Sequence, residues 1–271
     1  MSGFSFDVRL YRDRLHLSEN ISNTARGLRV LQQAQLYSIP IENFDIQLGR
    51  GIDLAPSSLF EKLVCSPRGG YCFEVNGLFL MALQAFDFEA RPLLGRVHLT
   101  GEPSGRGHQI SLVKVGGRYW IADVGFGKDT PLGPLLLDIG VVQEFKGQSF
   151  RLLDGGVFGI MVQKLEGEQW KNLYSFDMEH VCKADIAYGN HYTSTSPHSF
   201  FTTSRFAVKP FEEGWAVLFN HRLKLIQRDE EQVIALPEGQ EYLDALAKYF
   251  GIKLDADYEE LKPVPIEKDG N

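Results

Sequence analysis

The 271-residue sequence predicts an α+β fold in three successive regions, marked by changes in apolar periodicity. A helical period runs to about residue 88, a period of two takes over near residue 90, and a mixed pattern follows from about residue 170. Hydrophobic residues make up 44% of the chain, enough to bury a core without disulfides or metals.

In the first region, NTARGLRVLQQAQLYSI (23–39) sets Leu28, Leu31, Ala34 and Ile39 at roughly helical spacing behind Asn23 or Thr24 as caps. APSSLFEKLV (55–64) places Ser57 or Ser58 ahead of Leu59, Leu63 and Val64, with Glu61 in the first turn. CFEVNGLFLMALQAF (72–86) is too densely apolar for a surface helix and is predicted to lie between other elements. Gly77 inside it costs about 1 kcal/mol against alanine, which points to close packing.

The second region holds short β-rich runs separated by Gly, Pro or charged turns: PLLGRVHLT (92–100), HQISLVKV (108–115), RYWIADVGF (118–126), SFRLLDG (149–155) and VFGIMVQKL (157–165). They predict an antiparallel sheet or barrel. Further on, ADIAYGNHYTSTSPHSFF (184–201) reads as a polar loop and WAVLFNHRLKLIQ (215–227) as strand. EGQEYLDALAKYFGI (238–252) reads as a helix ending near Gly251, and residues 255–271 as an exposed, loosely held tail.

Charge and cysteine content exclude several classes of function. A net charge of −7 and a pI near 5.5 argue against nucleic acid as the main partner. No window approaches 18 consecutive apolar residues, so no membrane span is expected. The first residues carry charges where a signal peptide needs an apolar stretch, so a cytoplasmic location is expected. Cys65, Cys72 and Cys182 are odd in number and lack CxxC spacing, which argues against a disulfide framework and a zinc site. No metal is expected. Cys65 reads as a small packing residue at a helix end.

Chemistry concentrates around one hairpin. Gly116-Gly117 between two alternating runs is a two-residue turn signal, since both positions can take positive φ. With Val115 opposite Arg118, Ile110 falls opposite Asp123 and His108 opposite Gly125. His108 and Asp123 are then diagonal neighbours on one face, roughly 7–8 Å apart between backbones. Asp123 sits among apolar residues, where a carboxylate wants a partner. His108 can donate to it through one ring nitrogen and leave the other free to accept a proton. Cys72 opens a predicted helix, where the macrodipole and free N–H groups favour thiolate and lower the thiol pKa. Spacing alone leaves that thiol as either a buried structural cysteine or the nucleophile of a Cys–His–Asp set.

IPIENFDI (39–46), RGGYCFEVNGLF (68–79) and WIADVGFG (120–127), in this order, resemble the arylamine N-acetyltransferases. Thirty-six residues separate Cys72 from His108 and fifteen separate His108 from Asp123, and the likeness continues through NHYTSTSPHSFF (190–201). The resemblance implies a helical bundle (1–88), a β-barrel (89–189) and an α/β lid (190–271), with a papain- and transglutaminase-like catalytic core. It implies ping-pong transfer of an acetyl group from acetyl-coenzyme A through Cys72 to an arylamine, hydrazine or arylhydroxylamine. His108 acts as base and Asp123 orients it. The N–H of Cys72 and one close to Gly107 form the oxyanion site, and Phe126 lines the acceptor pocket. Arg68 and Glu42 support the core, while Asn76 and Tyr192 partner the catalytic acid. Gly125, Gly127, Lys128 and Thr130 belong to the loop that approaches the coenzyme A pyrophosphate, although Lys128 reads equally as a solvated lysine. Ile41 and the segment 98–107 depart from the more familiar bacterial pattern and bear on acceptor choice. The alternatives within reach of the same residues are an amide synthase, a malonyl- or propionyl-CoA transferase, and a cysteine hydrolase.

Overall fold

The computed structural model describes residues 4–228 and 230–264. The helical region contains α1 (Val8–Arg14), α2 (Ala25–Ser38), a two-residue strand β1 (Ile41–Glu42), α3 (Phe44–Gln47), α4 (Pro56–Phe60) and α5 (Cys72–Ala85). Thr24 is the cap of α2, its hydroxyl accepting from Gly27 N–H at 3.1 Å. α4 starts at Pro56, whose fixed φ suits a first helical position, and its last turn runs on in π geometry to Cys65. α5 is buried along nearly its whole length, as its dense apolar sequence predicts. A Cβ at Gly77 would stand 3.0 Å from Leu59 Cδ1, so the missing side chain lets α5 approach α4.

Eight strands follow: β2 (Glu89–Val97), β3 (His108–Val115), β4 (Arg118–Ala122), β5 (Leu135–Leu136), β6 (Val142–Phe145), β7 (Gln148–Asp154), β8 (Ile160–Glu166) and β9 (Gln169–Phe176). They form one antiparallel sheet in the order β5-β4-β3-β2-β9-β8-β7-β6, curled into a nearly closed barrel. The side chain of Gln143 bridges the two edges: it accepts from Leu136 N–H at 2.7 Å and donates to Leu136 O at 2.9 Å. At the β3–β4 hairpin, Val115 pairs with Arg118 and Gly116 and Gly117 take φ of 59° and 76°, the register the turn residues predict. The ladder ends at Ser111–Ala122, so Asp123 lies one residue past it.

The last region has α6 (Lys183–Thr195), α7 (Phe200–Thr203), β10 (Phe206–Phe211), β11 (Gly214–Phe219), β12 (Arg222–Gln227), β13 (Glu230–Ala235) and α8 (Gln240–Ala245), which continues as a π turn to Phe250. The helix ends at Gly251, where the φ of 73° favours glycine. β1 joins β10–β13 in a five-stranded sheet, so this sheet takes a strand from the helical region.

Four expectations change. The stretch 184–201 is mostly helical, with non-helical residues only at 196–199: α6 buries only Thr193, so it has no apolar stripe for periodicity to detect. The boundary at 189/190 falls inside that helix. WAVLFNHRLKLIQ is two strands, broken at Asn220, whose φ of 50° an asparagine tolerates. The tail is docked as far as residue 264: Tyr258 and Leu261 are buried with Tyr242 and Phe250, and Arg205 holds Lys262 O at 2.7 Å. Residues 265–271 lie outside the described residues.

Candidate active site

The start of α5 meets the end of the β3–β4 hairpin at Gly125. A Cβ there would lie 2.6 Å from Asn76 Nδ2 and 3.0 Å from Cys72 Cα. Glycine is therefore what allows the hairpin to touch the helix. Replacing it, Gly125→Ala, is expected to force the two elements apart and destabilise the chain by about 1–3 kcal/mol, read as a lowered denaturant midpoint.

Cys72 is the first residue of α5 and is buried. The N–H groups of Glu74 and Val75 bond to Tyr71 O, while those of Cys72 and Phe73, at the start of the helix, favour a charged sulfur. Sγ lies 3.8 Å from Gly107 O, the carbonyl just before His108. His108 Nε2 is 2.7 Å from Asp123 Oδ2, and both side chains are buried. The other Asp123 oxygen accepts from Asn76 Nδ2 at 3.0 Å and from Gly125 N–H at 2.8 Å. Asn76 Oδ1 in turn accepts from Val124 N–H at 3.0 Å. Burial alone would raise the Asp123 carboxyl, yet His108, Gly125 N–H and Asn76 together hold it below the usual carboxylate range. An ionised Asp123 can only accept, so Nε2 donates to it, and Nδ1 is the ring nitrogen that does not face the carboxylate.

The Cys72 thiol departs from the expectation of a lowered pKa. Burial pushes it up, the Asp123 charge adds to this, and the N–H groups of Phe73 and Cys72 oppose it. The helix terminus is present, but burial outweighs it.

Aromatic rings close over the His–Asp pair. Phe126 and Tyr174 lie 4.9 and 5.0 Å from the His108 ring, and 4.8 Å from each other. Tyr174 comes from β9, two strands from β3, and reaches His108 across Gly95, the β2 residue paired with both His108 and Phe176. A Cβ on Gly95 would stand 3.3 Å from the Tyr174 ring. Nothing in the sequence signals this placement.

A family profile described as N-acetyltransferase matches residues 24–258. A Salmonella typhimurium protein named arylamine N-acetyltransferase / N-hydroxyarylamine O-acetyltransferase is 35% identical over 249 residues, covering 90% of this chain and 88% of its own. The solved Salmonella typhimurium arylamine N-acetyltransferase is 33% identical, with a TM-score of 0.87 over 90% of each chain. The Mycobacterium marinum arylamine N-acetyltransferase in complex with CoA is 32% identical, with a TM-score of 0.85 over 91% of this chain and 93% of that one. The chain belongs to the arylamine N-acetyltransferase family.

Several positions expected from the arylamine N-acetyltransferase resemblance take places that the motifs did not specify. Tyr192, expected to partner the acid, is 62% exposed on α6; the buried tyrosine beside Asp123 is Tyr174. The Gly107 N–H donates to Gly105 O at 2.7 Å, so its carbonyl, not its amide, faces the sulfur. In the Gly125–Thr130 loop, Gly125 and Thr130 are buried, and the Thr130 hydroxyl accepts from Phe126 N–H at 2.8 Å. That leaves Gly127 and Lys128 nearer the surface, Lys128 Nζ resting 3.2 Å from Asp129 Oδ1. Cys65, expected to pack at a helix end, is exposed.

Arg68 and Glu42 form a buried ion pair at 2.9 Å, and Glu42 also accepts from Phe44 N–H at 2.6 Å. The pair is part of a larger array: Arg68 holds Asp45 at 2.8 Å, and Lys62 bridges Asp45 at 2.6 Å and Glu74 at 2.7 Å. Asp45, Lys62 and Glu74 were not singled out by any motif; only the fold joins them. Among the described residues no group of three or more His, Cys, Asp or Glu side chains is arranged to hold a metal ion, and no helix is long and apolar enough to cross a membrane.

Proposed function

We propose that the chain is a cytoplasmic arylamine N-acetyltransferase with a papain-like Cys–His–Asp core, taking acetyl from acetyl-coenzyme A and passing it to arylamines, hydrazines or arylhydroxylamines. The observation that carries this reading is that the start of α5 meets the β3–β4 hairpin: Cys72 Sγ lies 3.8 Å from the Gly107 carbonyl, and Asp123 bonds Nε2 of the next residue, His108. His108 Nδ1 takes the thiol proton as sulfur attacks the thioester carbonyl. The C–S bond to coenzyme A breaks, the imidazolium returns the proton to the departing thiolate, and acetyl remains on Cys72. An amine then attacks that acetyl carbon, His108 takes the amine proton, and the thiol is restored. The N–H groups of Cys72 and Phe73, at the start of α5, receive the oxyanion in both half-reactions. The apolar wall of Phe126 and Tyr174 suits an aromatic acceptor and disfavours water beside the acyl-cysteine. Lys128, exposed on the loop next to this wall, offers charge to the coenzyme A phosphates.

Incubation with acetyl-, propionyl- and malonyl-coenzyme A, with and without arylamines and hydrazines, tests the reading. Coenzyme A release is expected to rise at least about tenfold when an arylamine is added, with acetyl preferred. Release that ignores the amine would favour a hydrolase instead.

A further inference from the structure

We propose that Lys62 and Glu74 are positioning residues that set the charge felt by the Cys72 thiol, Lys62 screening the carboxylate that caps its helix. The inference rests on Cys72 being the acylated residue. Glu74 lies two residues beyond Cys72 in α5, with its side chain 3% exposed. One oxygen, Oε2, accepts from Tyr71 N–H at 3.0 Å and fixes the first turn. The other, Oε1, meets Lys62 Nζ at 2.7 Å. A buried carboxylate this close opposes a thiolate, because little water screens it. Lys62 arrives from a different element, the π turn after α4, and its ammonium is the cation that bonds this carboxylate.

Around Lys62 stand Glu74, Glu42, Asp45 and Arg68; around Cys72 stand Asp123, Glu74 and Tyr71. Burial raises the Glu74 carboxyl and Lys62 pulls it back, while Glu74 pushes the Cys72 thiol up. Without Lys62, the buried carboxylates of Glu42 and Glu74 and the part-buried Asp45 are left with Arg68. The array therefore reaches the nucleophile through one carboxylate, and neutralising either member of the Lys62–Glu74 pair shifts the thiol in the opposite sense to the other.

The test is the pH profile of the acylation half-reaction of the full chain with p-nitrophenyl acetate, followed by p-nitrophenol release. Lys62→Met is expected to move the ascending limb to higher pH and Glu74→Gln to lower pH, each by up to about one unit. The double variant is expected to return near the parent profile. The side-chain amide that Glu74→Gln introduces keeps a carbonyl oxygen to accept from Tyr71 N–H, so that variant carries the test if Lys62→Met does not fold. Folded variants that keep the parent profile, or that both shift the same way, would overturn the proposal. Mass spectrometry of the acetylated parent separates the two readings: acetyl on Cys65 or Cys182 in place of Cys72 removes the underlying assignment, whereas acetyl on Cys72 with unmoved profiles removes only this inference.

Discussion

Cys72→Ser is expected to lower acetyl transfer by on the order of 10⁴-fold or more while leaving the chain folded. The site tolerates the smaller atom: Gly107 O can accept from a hydroxyl as it does from the thiol at 3.8 Å, and the rest of α5 is unaltered. What is lost is the nucleophile. Burial and the Asp123 charge already push the sulfur toward its protonated form, and a hydroxyl in the same surroundings holds its proton far more firmly. A base that can draw the proton from a thiol gains little from a serine. Coenzyme A release with an arylamine, acetyl mass on residue 72 and far-ultraviolet circular dichroism check the three parts of the prediction. Substantial turnover by a folded serine variant would show that another group carries the acetyl.

Asp123→Asn is expected to lower turnover by roughly 10² to 10⁴-fold, through the wrong imidazole tautomer. The hydrogen bonds around the carboxylate dictate the outcome. Asn76 Nδ2 and Gly125 N–H both donate to Oδ1, so an amide would turn its oxygen there and present its NH₂ to His108 Nε2. Nε2 must then accept, the proton moves to Nδ1, and the lone pair that would take the thiol proton is gone. Kinetics indistinguishable from the parent would show the acid to be a bystander. The same substitution changes acid stability in a direction set by the depressed Asp123 carboxyl. That carboxylate stabilises the folded chain fully above the ordinary carboxylate range of about 3.9, and the contribution is lost as pH falls through its lower folded value. The parent is expected to show this additional loss of denaturant midpoint on acidification, and the variant to lack it.

Much of the hairpin was readable because its determinants are local. Gly116-Gly117 set the turn and the turn set the register as far as Ser111–Ala122; Asp123 lies one residue past that ladder and bonds His108 from there. The start of α5 was readable for the same reason, from two glycines followed by a dense apolar run. Tyr174 was not, because its position beside His108 depends on β9 pairing with β2 over a glycine, 51 residues beyond Asp123. Tyr192 sits in the more suggestive motif but on an exposed helix face. Helix α6 escaped because a helix that buries almost nothing leaves no periodic trace.

By itself, the sequence determined the α+β class, the family, and the turn and register of the β3–β4 ribbon. Tertiary structure alone decided that the sulfur sits against the Gly107 carbonyl, that Lys62 and Glu74 extend a charged array to the helix start, and that burial outweighs the helix terminus in setting the thiol. The physical reason is range: turns, caps and alternation are settled among neighbouring residues, whereas desolvation and charge pairing depend on whatever the rest of the chain brings alongside.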